Sequence, residues 1–280
     1  MLPLHREFEF THADFEKVRK LIYNYAGIAL SESKHDMVYG RLAKRLRALN
    51  LKTFQQYLQV LEKGDPKELE LFTNSMTTNL TSFFREAHHF EILNRYLKSQ
   101  KPGGTFNIWC SASSTGEEPY SLAITACEAF DSLRPPVKIF ATDLDTNVLE
   151  VGRQGIYAAE EVRKMGAPRV SRFFTQLSDG RFQLKPELRE MITFRRLNLI
   201  EPNWSIRGPL DAIFCRNVMI YFDKDTQFKI LQRFAPLLKP EGLLYVGHSE
   251  NLYHAAEFFK LQGKTVYELA KKPAAPAGRF

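Results

Sequence analysis

The chain has 280 residues, with 39 Lys and Arg against 32 Asp and Glu, for a formal net charge of +7. With 44% hydrophobic and 25% charged residues, it has the balance of an ordinary globular protein, which excludes a wholly disordered chain, a collagen or a coiled-coil rod. No apolar run approaches the roughly 20 residues that a bilayer span requires, and the opening MLPLHREFEF lacks an apolar signal core, so no export is expected.

The first ninety residues read as helices. FTHADFEKVRKLIYNYAGI has Thr11 or Asp14 as an N-cap and Phe15, Val18 and Ile22 at helical spacing, with Gly27 as the stop. SESKHDMVYGRLAKRLRALN sets Met37, Leu42, Leu46 and Leu49 near one stripe, with Arg41, Lys44, Arg45 and Arg47 on the other faces. TFQQYLQVLEKG suggests a third helix. DPKELELFTNSMTT suggests a fourth, with Pro66 suited to its first turn. Nothing here alternates with period two, so this part is expected to be all-α.

Lys-Pro-Gly-Gly at 101–104 is a breaker. Beyond it, 105–110, 137–143, 210–217, 242–247 and 265–271 read as strands, and 117–130, 145–155 and 224–238 as helices. Alternation of this kind predicts an α/β domain built on a mostly parallel sheet. Between 168 and 196 the alternation stops, and Ser-Asp-Gly between two β-rich runs signals a hairpin in a small antiparallel insert. The expected layout is a helical domain over 1–84, a linker over 85–104 and an α/β domain over 105–271. The Pro/Ala-rich tail 272–280 is expected to be disordered. Cys110, Cys127 and Cys215 are odd in number and widely spaced, which fits a reducing cytoplasm rather than a disulfide framework.

Four segments carry polar groups where chemistry is expected. In an open α/β sheet, ligands collect at the carboxyl ends of the strands. The loop SASSTG (111–116) follows a strand there and leads to Glu117 and Glu118 in the first turn of a helix. Neither Gly-x-Gly-x-x-Gly nor a Gly-Lys-Ser/Thr loop is present. Carboxylates in place of glycine-cradled phosphates suit a ligand with an amine and sugar hydroxyls. Helix capping is the competing use of these acids. In ATDLD, Asp143 ends a strand where paired ribose hydroxyls are usually accepted, and Asp145 suits a helix cap. CRNVMIYFD (215–223) puts Arg216 and Asn217 at the same edge. TTNLTSFFRE (77–86) sets Asn79, Thr81 and Arg85 among Leu80, Phe83 and Phe84. His88 and His89 have no Cys or His partner at ligand spacing, so no metal site is expected.

TTNLTSFFRE, STGEEPYS, CRNVMIYFD and LLKPEGLLYVGHSENL (237–252) together resemble the bacterial chemotaxis receptor methyltransferases, the CheR family, from about residue 10 to 271. The resemblance implies a class I methyltransferase fold with an N-terminal all-α domain and a small antiparallel β insert. It implies S-adenosyl-L-methionine as cofactor, S-adenosyl-L-homocysteine as product, and glutamate side chains of chemoreceptors as acceptors. By position, Asn79, Thr81 and Arg85 close over the cofactor, and the first or second acid of Glu117–Glu118 takes the methionine amine. Asp143 holds the ribose, Asn198 and Leu199 lie near adenine, and Cys215, Arg216 and Asn217 line the methionine side. Arg85 and Tyr221 are nearest the acceptor. An acceptor carboxylate is already ionised at neutral pH, so the lack of a nucleophile–base pair is expected. The implied partner is an acidic, helical receptor segment, with a receptor C-terminal pentapeptide as a further tether for the insert. The enzyme is expected to be a cytoplasmic monomer that meets the membrane only through the receptor.

Two other readings compete. One is a nucleic-acid methyltransferase, although no Asn-Pro-Pro-Tyr segment stands where Arg-Asn-Val-Met does. The other is a non-catalytic module that binds S-adenosylmethionine. The charge bears on the first. Residues 34–52 carry six basic residues against one acid, and 160–196 carry nine against five. Concentrated patches suit an acidic protein partner better than a nucleic acid.

Overall fold

In the computed structural model, which describes residues 6–99 and 104–271, local capping rules set the first helices. In α1 (His12–Ala26), Thr11 is the N-cap and Asp14 completes a capping box, so the two candidate caps work together. Gly27, at φ 71°, ends the helix in the left-handed region that glycine enters freely. α2 spans His35–Ala48, α3 Phe54–Glu62 and α4 Pro66–Met76. A Thr53–Gln56 box starts α3, and Asp65 caps α4 with Pro66 at its first position.

These helices form a unit that ends at Thr78 and is joined by Tyr221–Asp223. Its core includes Phe15, Ile22, Leu42, Leu46, Tyr57 and Phe72. The buried face of α2 is Val38, Leu42, Ala43 and Leu46. Met37 falls off the expected stripe because it lies about 140° round the helix from Leu42, and Leu49 because it stands past the last turn, as the C-cap. Three of the four basic residues on α2 have partners inside the unit. Arg45 donates to Glu68 over 3.0 and 2.6 Å, and the Tyr57 hydroxyl donates to the same carboxylate over 2.9 Å. Arg41 donates to the carbonyls of Met76 and Thr77, which end α4. Lys44 stays exposed, and exposed Arg47 pairs with Glu7.

The larger unit takes in Asn79–Ile220 and resumes at Lys224. It opens with α5 (His88–Ser99), a regular helix inside the stretch expected as linker, and the division falls before residues 79–84 rather than after them. The alternation that follows is β1 (Phe106–Cys110), α6 (Glu117–Phe130), β2 (Val137–Asp143) and α7 (Thr146–Gln154). β3 (Ile156–Tyr157), α8 (Ala159–Arg163), α9 (Ala167–Phe173), β4 (Phe174–Gln176), β5 (Phe182–Leu184) and α10 (Pro186–Glu190) come next. β6 (Ile192–Arg196), β7 (Leu210–Cys215), α11 (Lys224–Phe234), β8 (Leu238–Val246), β9 (Phe259–Gly263) and β10 (Val266–Leu269) complete it.

The main sheet has seven strands in the order β6-β2-β1-β7-β8-β10-β9. β6 through β8 pair in parallel, and β10 and β9 are antiparallel. β7 is buried throughout, as a strand covered on both faces must be. The antiparallel insert is the separate sheet β3-β5-β4, turning at Ser178–Gly180. Its extent differs from the expected 168–196. Residues 192–196 form the parallel edge strand β6, and Ile156–Tyr157 joins the insert from outside that range. A short β-rich run has the same local pattern in either sheet, so only the pairing partner separates them. The breaker at 101–103 and the tail at 272–280 lie outside the described residues. No helix among the described residues is long and apolar enough to cross a membrane.

The Glu68 carboxylate is 5% exposed, so its counter-ion matters. Removing one partner of a buried pair strands the other charge. Arg45→Met should lower the unfolding free energy by about 3 kcal/mol, read by calorimetry as a lower melting temperature for the full chain. A change under about 0.5 kcal/mol, the range of ordinary surface substitutions, would show that the pair does not hold the helices.

Candidate active site

The loop after β1 is laced to its neighbours by backbone bonds. Ser111 N–H donates to the Phe214 carbonyl on β7, and Ser113 N–H to the Thr142 carbonyl on β2, both over 2.9 Å. The loop then turns through left-handed Ser114 (φ 46°) and Gly116 (φ 102°) into α6. Gly116 has no room for a side chain, since a Cβ there would lie 2.6 Å from the Tyr157 hydroxyl and 2.9 Å from Gly152 Cα. The carboxylates that follow face different partners. Glu117 is buried and accepts from the Thr115 hydroxyl over 2.7 Å, and burial pushes its pKa up. Glu118 accepts from Arg216 over 2.6 Å and from the Cys110 thiol over 3.3 Å.

Asp143 ends β2 beside this loop. One oxygen accepts from Ser114 N–H over 2.8 Å and the other from Asp145 N–H over 3.0 Å. Burial nevertheless pushes its pKa up to about 6. Asp145 caps α7 by accepting from Asn147 N–H. On the other side of β2, Leu197 N–H donates to the Asp143 carbonyl and brings buried Asn198 and Leu199 to the same strand ends. Arg233 on α11 donates to the carbonyls of Glu201 and Pro202 and stacks 3.6 Å from the Trp204 ring, fixing the turn that follows.

The 79–86 segment closes over these groups. Asn79 donates to Asp145 over 2.9 Å, and its carbonyl accepts from the Ser114 hydroxyl over 3.0 Å. Thr81 follows, half-buried. Phe83 packs edge-on against Tyr157 and Phe174, and Phe84 lies 3.9 Å under the Arg169 guanidinium. These anchors explain why 79–84 belongs with the sheet. Arg85 donates from its side chain to the Leu80 carbonyl over 2.9 Å, which curls the segment.

Arg216 lies at the centre, its side chain 0% exposed. One terminal nitrogen donates to Glu118. The other donates to the Arg85 carbonyl over 2.5 Å and lies 3.3 Å from Glu86. The Glu86 carboxyl is pushed up by burial, but the hydrogen bond from His248 and the charge of Arg216 outweigh this and bring it to about 2. Burial, then the charge of Arg216, lower His89 to about 4, so it is neutral at pH 7 and can donate from Nε2 to the Lys264 carbonyl. Ligand atoms of Glu86, His88 and His89 lie within 4.8 Å of one another. Arg216 already supplies the positive charge at that carboxylate.

The larger unit thus brings Asn79, Thr81, Arg85, Glu117, Glu118, Asp143, Asn198, Leu199, Cys215, Arg216 and Asn217 to the carboxyl ends of β1, β2, β6 and β7 or to the segment beside them. Tyr221 belongs to the smaller unit, where its carbonyl accepts from Ala29 N–H over 2.8 Å. Ser114 and Glu86 were not singled out from the sequence. Both stand inside motifs, and the signal was only their place beside residues that were. The groups at these strand ends are mainly carboxylates and small polar residues, including the buried, unpartnered hydroxyl of Ser113. That acceptor set fits a ligand with vicinal hydroxyls and an ammonium group.

Comparison with known proteins agrees with this geometry. Residues 79–267 match the family model described as CheR methyltransferase, SAM binding domain, and residues 13–77 match CheR methyltransferase, all-alpha domain. The chain is 50% identical to chemotaxis protein methyltransferase 2 of Pseudomonas aeruginosa over 272 residues, 95% of this chain and 96% of that one. It is 46% identical to the chemotaxis protein methyltransferase of Salmonella typhimurium, covering 98% of this chain and 96% of that one. The Escherichia coli chemotaxis protein methyltransferase is also 46% identical, over 97% of this chain and 96% of its own length.

Asp143 gives a test of the electrostatics. A carboxyl raised to about 6 from an unfolded value near 3.9 binds its proton more tightly when folded. The stability this contributes is fully present below about pH 4 and is lost as pH rises through about 6. The Asp143 carboxyl carbon should titrate in NMR with a midpoint near pH 6. The stability difference between wild type and Asp143→Asn should move against the wild type over that window. A midpoint below 4.5 would show that the backbone bonds outweigh burial.

Proposed function

The chain belongs to the CheR methyltransferase family, and from that premise we propose that it methylates glutamate side chains of bacterial chemoreceptors, giving γ-carboxyl methyl esters. Its S-adenosyl-L-methionine-dependent methyltransferase activity in chemotaxis follows from the relatives. The observation that carries the residue assignments is the meeting of Asp143, Glu117, Glu118, Arg216 and Asn217 at one edge of a parallel sheet, beside the 79–86 segment.

In this reading Asp143 accepts the ribose hydroxyls, and Asn198 and Leu199 flank the adenine. The Glu117–Glu118 pair supplies the negative charge for the methionine ammonium. Cys215 is buried at the end of β7 with its thiol pushed up by burial, so it lines the site as a small neutral group through its backbone. The Arg216 guanidinium is held by Glu118, Glu86 and the Arg85 carbonyl, so it fixes the shape of the site. Asn79 and Thr81 cover the cofactor.

When bound, S-adenosyl-L-methionine supplies an electrophilic methyl group on a sulfonium. The chain's own residues orient an acceptor that needs no deprotonation. Arg85, whose guanidinium donates to the Leu80 carbonyl on the curled segment, is assigned to hold the acceptor carboxylate. Tyr221, in the smaller unit, is assigned as a hydrogen-bond donor to the acceptor. Covering the site excludes the water that stabilises both opposite charges, and orientation can supply on the order of 7–11 kcal/mol of the barrier.

The receptor's acidic helical segment is assigned to the exposed basic groups of the helical unit, Lys34, Lys44 and Lys52, with Arg47 exposed beside its partner Glu7. Arg41 and Arg45, which the sequence pattern included, are held by internal partners. Edge strands β3 and β4 of the small sheet suit an extended receptor C-terminal peptide, which would join by strand addition. The working form is assigned as a cytoplasmic monomer.

Two outcomes test this reading. Methyl-labelled S-adenosylmethionine with receptor-rich membranes should label the receptor, and mild base should release the label as methanol. Base-stable label, or label in nucleic acid, would overturn the acceptor assignment. Arg85→Ala should lower kcat at saturating cofactor by at least tenfold, about 1.4 kcal/mol. Unchanged turnover with cofactor bound would remove Arg85 from the reaction.

A further inference from the structure

The Gly-His-Ser-Glu segment at 247–250 follows β8 and takes no part in the chemistry above. Glu250 is 6% exposed, and the groups that donate to its carboxylate are backbone N–H groups. One carboxylate oxygen accepts from Gly247 N–H over 2.6 Å and from Asn217 N–H over 2.9 Å. The other accepts from Ile220 N–H over 3.3 Å. A single side chain therefore ties the turn after β8 to the turn after β7.

The turn after β7 needs such an acceptor. Asn217 has φ 56°, in the left-handed region. Its N–H leaves the sheet ladder at the point where β7 ends. A buried N–H without a partner is destabilising, and a carboxylate makes stronger bonds to such groups than a neutral acceptor does. The fit is close on the other side as well. A Cβ at Gly247 would collide with Asn217 Nδ2 and lie 3.0 Å from its backbone nitrogen. The Asn217 side chain also donates to Glu86 over 3.4 Å, and Arg216 next to it is held by Glu118 and Glu86. The Arg216–Asn217 turn is thus gripped by Glu86 through side chains and by Glu250 through the backbone.

We propose that Glu250 is a positioning residue for methyl transfer, holding the turn at 216–220 so that Asn217 presents its side chain to the methionine end of the cofactor. This rests on the assignment of Asn217 to the cofactor site. It predicts an effect on cofactor affinity rather than a general loss of folded enzyme. Glu250→Gln keeps the size of the side chain but removes its charge and sets an NH2 group against backbone N–H donors.

The test uses the full chain. The Kd for S-adenosyl-L-homocysteine is measured by calorimetry, and KM and kcat with S-adenosyl-L-methionine and receptor-rich membranes. In Glu250→Gln, Kd and the cofactor KM should rise at least tenfold, with the receptor KM unchanged and kcat within threefold. A purely structural role would lower the melting temperature and leave Kd and KM within twofold of wild type, and that result overturns the proposal. Gly247→Ala, which presses on Asn217 with Glu250 intact, should raise Kd at least fivefold. If Glu250→Gln does not fold, Gly247→Ala decides, and a Kd within twofold of wild type counts against the proposal. Asp143→Asn is the reference. If it too leaves Kd unchanged, the cofactor-site assignment fails. If it weakens binding while Glu250→Gln does not, only the role of Glu250 fails.

Discussion

A fully buried guanidinium holds the site together. Arg216 reaches oxygens from two parts of the chain, the Glu118 carboxylate on α6 and the Arg85 carbonyl and Glu86 carboxylate on the 79–86 segment. Desolvating one cation costs several kcal/mol, which only close, multiple oxygen contacts can offset. The planar fork of arginine meets several partners at fixed angles, and lysine could not. Arg85 is thereby held through its backbone carbonyl, while its side chain donates to the Leu80 carbonyl. Phe83 and Phe84 pin the same segment to the insert and to α9 through ring contacts.

The carboxylates around this cation are set to different electrostatic states by their surroundings. Glu86, beside His248 and Arg216, is brought to about 2, whereas Asp143, without a basic partner, is raised to about 6 by burial. A ligand with hydroxyl and ammonium donors would relieve the desolvated acids and leave the paired one in place. A carboxylate acceptor is already ionised at neutral pH and requires no general base. The fold supplies placement and exclusion of water, and the electrophile comes with the cofactor.

Much of the fold was legible because each local signal agreed with its neighbours. The Thr11–Asp14 and Thr53–Gln56 boxes, Gly27 and Pro66 mark helix ends by local hydrogen bonding and backbone freedom, which need no tertiary context. The alternation of β1, α6, β2 and α7 was readable for the same reason. What was misread depended on pairing. Ile192–Arg196 looked like part of a hairpin and is the edge of the main sheet. The arginines of α2 looked like an open basic face. Arg41 and Arg45 instead reach carbonyls and a carboxylate more than twenty residues away.

The sequence by itself determined most of the helix ends, the strand–helix alternation and the residues that stand at strand ends, and its resemblance to a family implied the cofactor. Asp143, Glu117, Glu118 and Asn217 follow from strand and helix boundaries, and a strand end is a local event. Only the tertiary structure decided what those side chains meet. That Glu118 faces Arg216 while Glu117 faces Thr115, and that Glu250 closes two turns at once, depends on packing between segments far apart in the chain. Adjacent residues in a helix point about a quarter-turn apart. Two neighbouring glutamates with the same local signal can therefore meet different partners.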